Sequence, residues 1–122
     1  MAGVVAYDVF LEDCPARTTL SLVADSWSVI AVVALGRGPA RYSELQELIG
    51  GISKKMLTQT LHRLEANGLV EKQRLRTVPP GTEYRLTDLG RTLLEPVRSL
   101  SAWAEQYTGD LLDARDRIAQ TA

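Results

Sequence analysis

Cys14 is the only cysteine in 122 residues, so no internal disulfide can staple this chain, and a reducing compartment, the cytoplasm, is expected. Histidine is as scarce. His62 stands alone, and no His, Cys and carboxylate residues cluster at ligand spacing, so no metal site is expected. The longest apolar run, residues 27–35 broken by Ser28, is far too short to span a bilayer. No basic stretch leads into a sustained apolar segment at the N-terminus, so neither a secretion signal nor a membrane partner is expected. Gly36-Arg37-Gly38 lacks the Lys-Ser/Thr of a phosphate loop, and no serine lies in a nucleophile-elbow string. Internal repeats and low-complexity tracts are absent too. These absences argue against an enzyme, and no cofactor is assigned.

Excess charge is also missing, with a net charge of -1 and a pI near 5.8. What the chain does have is asymmetry. Residues 53–85 carry seven basic and three acidic side chains, while the remainder carries seven basic and twelve acidic. A positive field on one part of an acidic body is the footprint of a protein that touches phosphate with one face. The plainer alternative is a solvated surface. Length and a 45% hydrophobic content suit a single globular domain with its own core.

Periodicity organises the chain into helices and one hairpin. Residues 1–13 show no clear caps and read as an N-terminal arm, mobile or a short helix. Residues 18–35 read as one helix, with Leu20, Val23, Trp27, Ile30 and Ala34 at spacings of three and four. Gly36-Arg37-Gly38-Pro39 is a loop signal. Tyr42, Leu45, Leu48 and Ile49 then form one face of a short helix ending at Gly50-Gly51. The helix after it is the best specified. Ser53 is a good N-cap, Ile52 can staple onto Leu57, and Leu57, Leu61 and Leu64 recur at i, i+4 and i+7 before the Asn67-Gly68 stop. Two helices joined by a tight Gly turn make a helix-turn-helix pattern. Residues 69–76 and 82–86 read as strands around Pro79-Pro80-Gly81. From the N-cap Thr87 a last helical region follows, and Pro96 within it is expected to kink or interrupt it. Its apolar spacing continues through Trp103, Tyr107 and Leu111, further than a monomer's core requires, so a second subunit is expected against it.

The functional argument rests on residues 51–87. With Leu57, Leu61 and Leu64 turned inward, Lys55, Gln59, His62 and Ala66 point outward, flanked by Lys54, Thr58 and Arg63. The N-terminal part of a second helix of this kind enters the major groove of double-stranded DNA, where Gln can bond adenine bidentately. Lys55, Thr58 and Gln59 are therefore the candidates for base readout. Lys54, His62 and Arg63 lie nearer phosphates, and Ser53 is a further candidate DNA contact at the helix start. In the hairpin, Lys72, Arg74 and Arg76 alternate along one strand and so share a face. Thr77 stands at the hairpin tip, and Arg37 and Arg41 precede the short helix as candidate backbone contacts.

Several strings resemble the HxlR-type family of bacterial winged-helix regulators, within the MarR-like superfamily. They are Cys14-Pro15, Trp27, Gly38-Pro39, Arg41-Tyr42-Ser43-Glu44-Leu45, Gly51-Ile52-Ser53, Met56-Leu57-Thr58, Leu61, Leu64-Glu65, Gly68-Leu69-Val70, Pro79-Pro80, Glu83-Tyr84, Leu86-Thr87 and Gly90. The match spans about residues 13–107. It departs at Ser26, where the family commonly has a basic residue, and at Thr82, where it often has a hydrophobic one. The resemblance implies an α+β, mainly α fold: a winged helix-turn-helix with extra N- and C-terminal dimerisation helices. Its domain would cover residues 14–107, with a C-terminal helical region over 88–120. It implies a homodimer, with Leu20, Val23, Val97, Leu100, Trp103 and Tyr107 at the interface. It also implies a transcription regulator, a repressor, acting on a pseudo-palindromic operator.

Cys14 falls at the position where some of these relatives sense oxidants or electrophiles, which makes it the candidate redox sensor and such a compound a candidate inducer. Glu12 and Asp13 oppose thiolate formation, whereas Arg17 or a helix N-terminus would favour it. Two other readings remain open: a winged-helix module used for protein interaction, and a regulator controlled by a small molecule at the dimer interface.

Overall fold

The stretch expected as one helix over residues 18–35 folds as two. The computed structural model, which describes residues 6–121, has α1 over Pro15–Val23 and α2 over Ser26–Leu35, bent by 71° relative to each other. Asp25 makes the break. Its backbone is extended and its carboxylate accepts the Ser28 N–H at 3.1 Å and the Ser28 hydroxyl at 2.7 Å, capping α2. Pro15 opens α1, where a missing N–H costs nothing. Before it, the part of the N-terminal arm within the described residues forms turns, and residues 1–5 of the expected arm lie outside them.

The remaining elements are β1 (Ala40–Arg41), α3 (Tyr42–Leu48), α4 (Lys54–Ala66), β2 (Val70–Leu75), β3 (Gly81–Leu86) and α5 (Asp88–Thr121). The strands form an antiparallel sheet in the order β1-β3-β2. β2 and β3 pair from Val70 opposite Leu86 to Leu75 opposite Gly81, which makes the wing. The two-residue β1 adds Ala40 opposite Tyr84 and Arg41 opposite Glu83. Nothing in so short a segment marks it as a strand, and its partner β3 lies far along the chain.

α2 is apolar on every side and accordingly occupies the centre, with Val29, Ala31, Val32, Ala34 and Leu35 buried. Leu45 and Ile49 from α3, Leu57, Leu61 and Leu64 from α4, and Val70 and Leu86 from the wing close around it. Leu48, expected on the buried face of α3, is half exposed. The staple is in place, since Ile52 and Leu57 are both in this core. Gly90 fixes how closely α5 meets the sheet: a Cβ there would lie 2.0 Å from the Leu69 carbonyl oxygen.

α5 corrects two expectations. It runs on through Pro96, so of the kink or interruption expected there the interruption does not occur. The carbonyl of Thr92 that loses its donor there is on a solvent-facing turn, where both residues are exposed, so water can take the bond. Val97, expected between subunits, is 4% exposed and belongs to the core of its own chain, packed within the cluster built on α2. Val23 is partly buried against the same core. Leu20, Leu100, Trp103 and Tyr107 do remain on the surface.

Candidate nucleic-acid interface

α4 begins as its sequence requires. Ser53 is extended, and its hydroxyl oxygen accepts the Met56 N–H at 3.0 Å, so this candidate contact residue is already the helix cap. At the other end, Asn67 donates to the Arg63 carbonyl at 2.8 Å, and Gly68 takes a φ of 75°, a left-handed conformation that a side chain disfavours. The buried face comprises Leu57, Thr60, Leu61 and Leu64. Thr60 was not anticipated there, and its hydroxyl has no hydrogen-bond partner among the described residues.

Opposite this face, Lys54, Lys55, Thr58, Gln59 and His62 are all exposed. Among the described residues, the side chains of Lys54, Lys55, Gln59 and His62 form no hydrogen bond or ion pair. They form one solvent-facing row on a helix that is tethered at both ends. Near its start, the Tyr42 hydroxyl donates to the Lys54 carbonyl at 2.9 Å and lies 2.9 Å from the Thr58 hydroxyl. Near its end, Arg63 reaches back to α2.

That second tether gives Arg63 a structural role that its sequence position did not suggest. Its Nη2 donates to Asp25 Oδ2 at 2.8 Å and to Ser28 Oγ at 3.0 Å, while its Nε is buried without a partner. A guanidinium so close to a carboxylate has its charge offset, and it ties the C-terminal third of α4 to the cap of α2. Arg63 is therefore a strut between helices, held by its Nη2 while its side chain stays 38% exposed. Burial pushes the Asp25 carboxyl upward, but the Ser28 hydrogen bonds and the Arg63 charge outweigh it. The net effect holds Asp25 below the ordinary carboxylate value of 3.8.

In the wing, Lys72 and Arg74 share the sheet face of the buried Val70, the side turned toward α4. Lys72 Nζ is 3.9 Å from Glu65, a loose contact between half-exposed groups. Arg76 lies beyond the end of β2, so strand alternation does not place it with the other two. On the opposite face Arg85 pairs with Glu71 directly across the strands at 2.8 Å. The tip is braced from below. Arg41 Nη2 donates to Thr77 Oγ1 at 3.2 Å, and Thr77 donates in turn to the Pro79 carbonyl at 2.8 Å. Tyr84 sits beneath, with its phenol pKa raised above 10.0 by burial first, then by Glu65 and Tyr42.

A helix with a bare polar row beside a braced basic hairpin is the geometry of a winged helix-turn-helix, and the HxlR-like helix-turn-helix family model matches residues 22–111. The chain belongs to that family. The HTH-type transcriptional regulator YtfH of Escherichia coli (strain K12) is 41% identical over 112 residues, covering 92% of this chain and 89% of the relative. Among solved structures, ytfH from Salmonella typhimurium superposes with a TM-score of 0.81 at 38% identity, covering 91% of this chain and 99% of that one. The redox regulator HypR in its oxidized form gives 0.70 at 35% identity, over 76% and 96% of the respective chains. As an HxlR-like protein the chain is a helix-turn-helix transcription regulator and not an enzyme.

Cys14 is 8% exposed and occupies the N-cap position of α1 without a side-chain capping bond. Arg17, considered as a charge beside the thiol, instead donates to the carbonyls of Val9 and Phe10 at 2.7 and 3.0 Å and holds the arm. An apolar groove of about 540 Å³ lies between α2 and α5, bounded by Val29, Ile30, Val33 and Leu100. Ser26, at the family's commonly basic position, lines its rim, and neither tryptophan contributes to it.

Proposed function

We propose that this HxlR-like regulator represses transcription as a homodimer on a pseudo-palindromic operator, and that oxidants or electrophiles act on it through Cys14. The observation that carries the DNA reading is the row formed by Lys54, Lys55, Gln59 and His62, exposed and unengaged on a tethered helix. Lys55, Thr58 and Gln59 reach base edges, while Lys54, His62, Lys72, Arg74, Arg76 and Thr77 meet the backbone, with Arg41 bracing the tip.

The dimer is supported by α5. Its 34 residues extend about 51 Å at helical rise. Along it Leu100, Trp103, Tyr107, Leu111 and Ile118, one or two turns apart, leave an apolar stripe that stays 39–68% exposed. Such a stripe is stabilised by burial against another surface, and a two-fold partner presents the same stripe in return. The paired heads would then meet successive major grooves about one helical turn apart. Cys14 lies at the junction of arm and α1, where its modification would displace the turns that Arg17 holds. With no second cysteine in the chain, its oxidation leads to an intersubunit disulfide, a mixed disulfide or an oxyacid.

The test is an electrophoretic mobility shift on fragments upstream of the protein's own and neighbouring genes, over a range of salt. Salt-sensitive binding to one fragment above random DNA is expected, and its absence on every fragment refutes the operator reading.

A further inference from the structure

Hydrogen-bond direction at the start of α4 determines what Thr58 can offer to a base. The Tyr42 hydroxyl has one proton and two neighbours at 2.9 Å, the Lys54 carbonyl and the Thr58 hydroxyl. The carbonyl can only accept, so the tyrosine proton goes to it. Thr58 must then donate its own proton to the tyrosine oxygen. No other described acceptor competes for that proton, and the Thr58 side chain is otherwise exposed on the side of the bare polar row. Its hydroxyl therefore faces solvent with lone pairs alone. A free threonine can rotate its O–H and meet a donor or an acceptor equally well, and this one cannot.

We infer that Tyr42 makes Thr58 an acceptor-only contact, so that it selects an exocyclic amino group in the major groove, adenine N6 or cytosine N4, over guanine O6 or thymine O4. The inference rests on the proposed reading of DNA by α4 and adds a polarity to it. In the major groove the amino groups of adenine and cytosine are the donors, and the O6 and O4 atoms are acceptors that would meet the Thr58 lone pairs repulsively. Tyr42 touches no base in this scheme. It acts as a positioning residue from α3, setting the specificity of a neighbour by holding one proton.

The experiment is selection of bound sequences from a randomised DNA library by the full chain, by Tyr42→Phe and by Thr58→Val, each verified as folded by circular dichroism and thermal melting. The wild type is expected to favour adenine or cytosine at one position per half-site on the contacted strand, by about fivefold, the value of one net hydrogen bond. Tyr42→Phe frees the threonine proton and should abolish that preference while leaving the other positions unchanged. Thr58→Val, which retains shape without a hydroxyl, should lose the preference at the same position, and it serves as the test if Tyr42→Phe does not fold. An unchanged preference in either folded variant overturns the inference. So does a loss spread evenly over all positions, the sign of a merely structural tyrosine. A wild type that enriches no sequence at all refutes the DNA reading itself, and this inference with it.

Discussion

Replacing Arg63 by methionine separates a strut from a DNA contact. The methionine keeps most of the aliphatic stem and removes the guanidinium, with its buried and unpaired Nε. What is lost is the pair of bonds from Nη2 to Asp25 at 2.8 Å and Ser28 at 3.0 Å. Hydrogen bonds between charged groups reach about 1.5–3 kcal/mol when shielded. Here both side chains are 38% exposed, so solvent screening brings the expected loss to about 1 kcal/mol. Asp25→Ala should cost about 2 kcal/mol, because it also removes the cap of α2. The double variant should cost about 2 kcal/mol as well, a coupling of about 1 kcal/mol in a denaturant cycle at fixed protomer concentration. The pair also has an acid limit. Because the Asp25 pKa is depressed in the folded state, its contribution is full above the unfolded value of 3.8 and is lost as pH falls through the lower folded value. Asp25→Asn should flatten that part of the stability curve. On DNA, the slope of log affinity against log salt should be unchanged in Arg63→Met. A phosphate contact in each protomer of a dimer would instead remove about 1.8 units. A slope reduced by that amount, together with no coupling to Asp25, would refute the strut.

Gly90→Ala should destabilise the fold by about 1–3 kcal/mol, although alanine favours helix by about 1 kcal/mol, because the new methyl meets the Leu69 carbonyl; a thermal melt equal to wild type would contradict that close approach. Val97→Ala should cost about 2 kcal/mol in denaturation without changing the oligomer, whereas Trp103→Glu should shift sedimentation toward monomer. The reverse pattern would return Val97 to the interface. Thr60→Val should stabilise by about 1 kcal/mol, since it removes a buried hydroxyl that has no partner, and a loss of stability would point to a bond that forms in solution. Diamide should alter operator affinity in wild type and not in Cys14→Ser; an equal response in both excludes thiol sensing.

Helix α4 was legible because its signals are local. Ser53, Ile52, the leucines of α4 and the Asn67-Gly68 stop each act within a few residues, and the hairpin is bounded by its own Pro-Pro-Gly turn. The same periodicity identified the helix-turn-helix pattern and the exposed row from Lys54 to His62. Asp25 was also a legible signal, an N-cap type ahead of an apolar run, but the continuous spacing on both sides of it suggested a single helix.

The amino-acid order by itself determined the span of α4 and its free face, the hairpin after it, and that one basic patch stands on an acidic chain, because these follow from periods of two and 3.6 residues and from local caps. Only the tertiary structure decided the work of side chains whose partners are far along the chain. Arg63 finds Asp25 across 38 positions, Arg41 finds Thr77 across 36, and Tyr42 reaches Thr58 across 16. Val97 turns inward for the same reason: helical spacing defines an apolar stripe, but only the placement of α2 decides which part of that stripe its own chain covers.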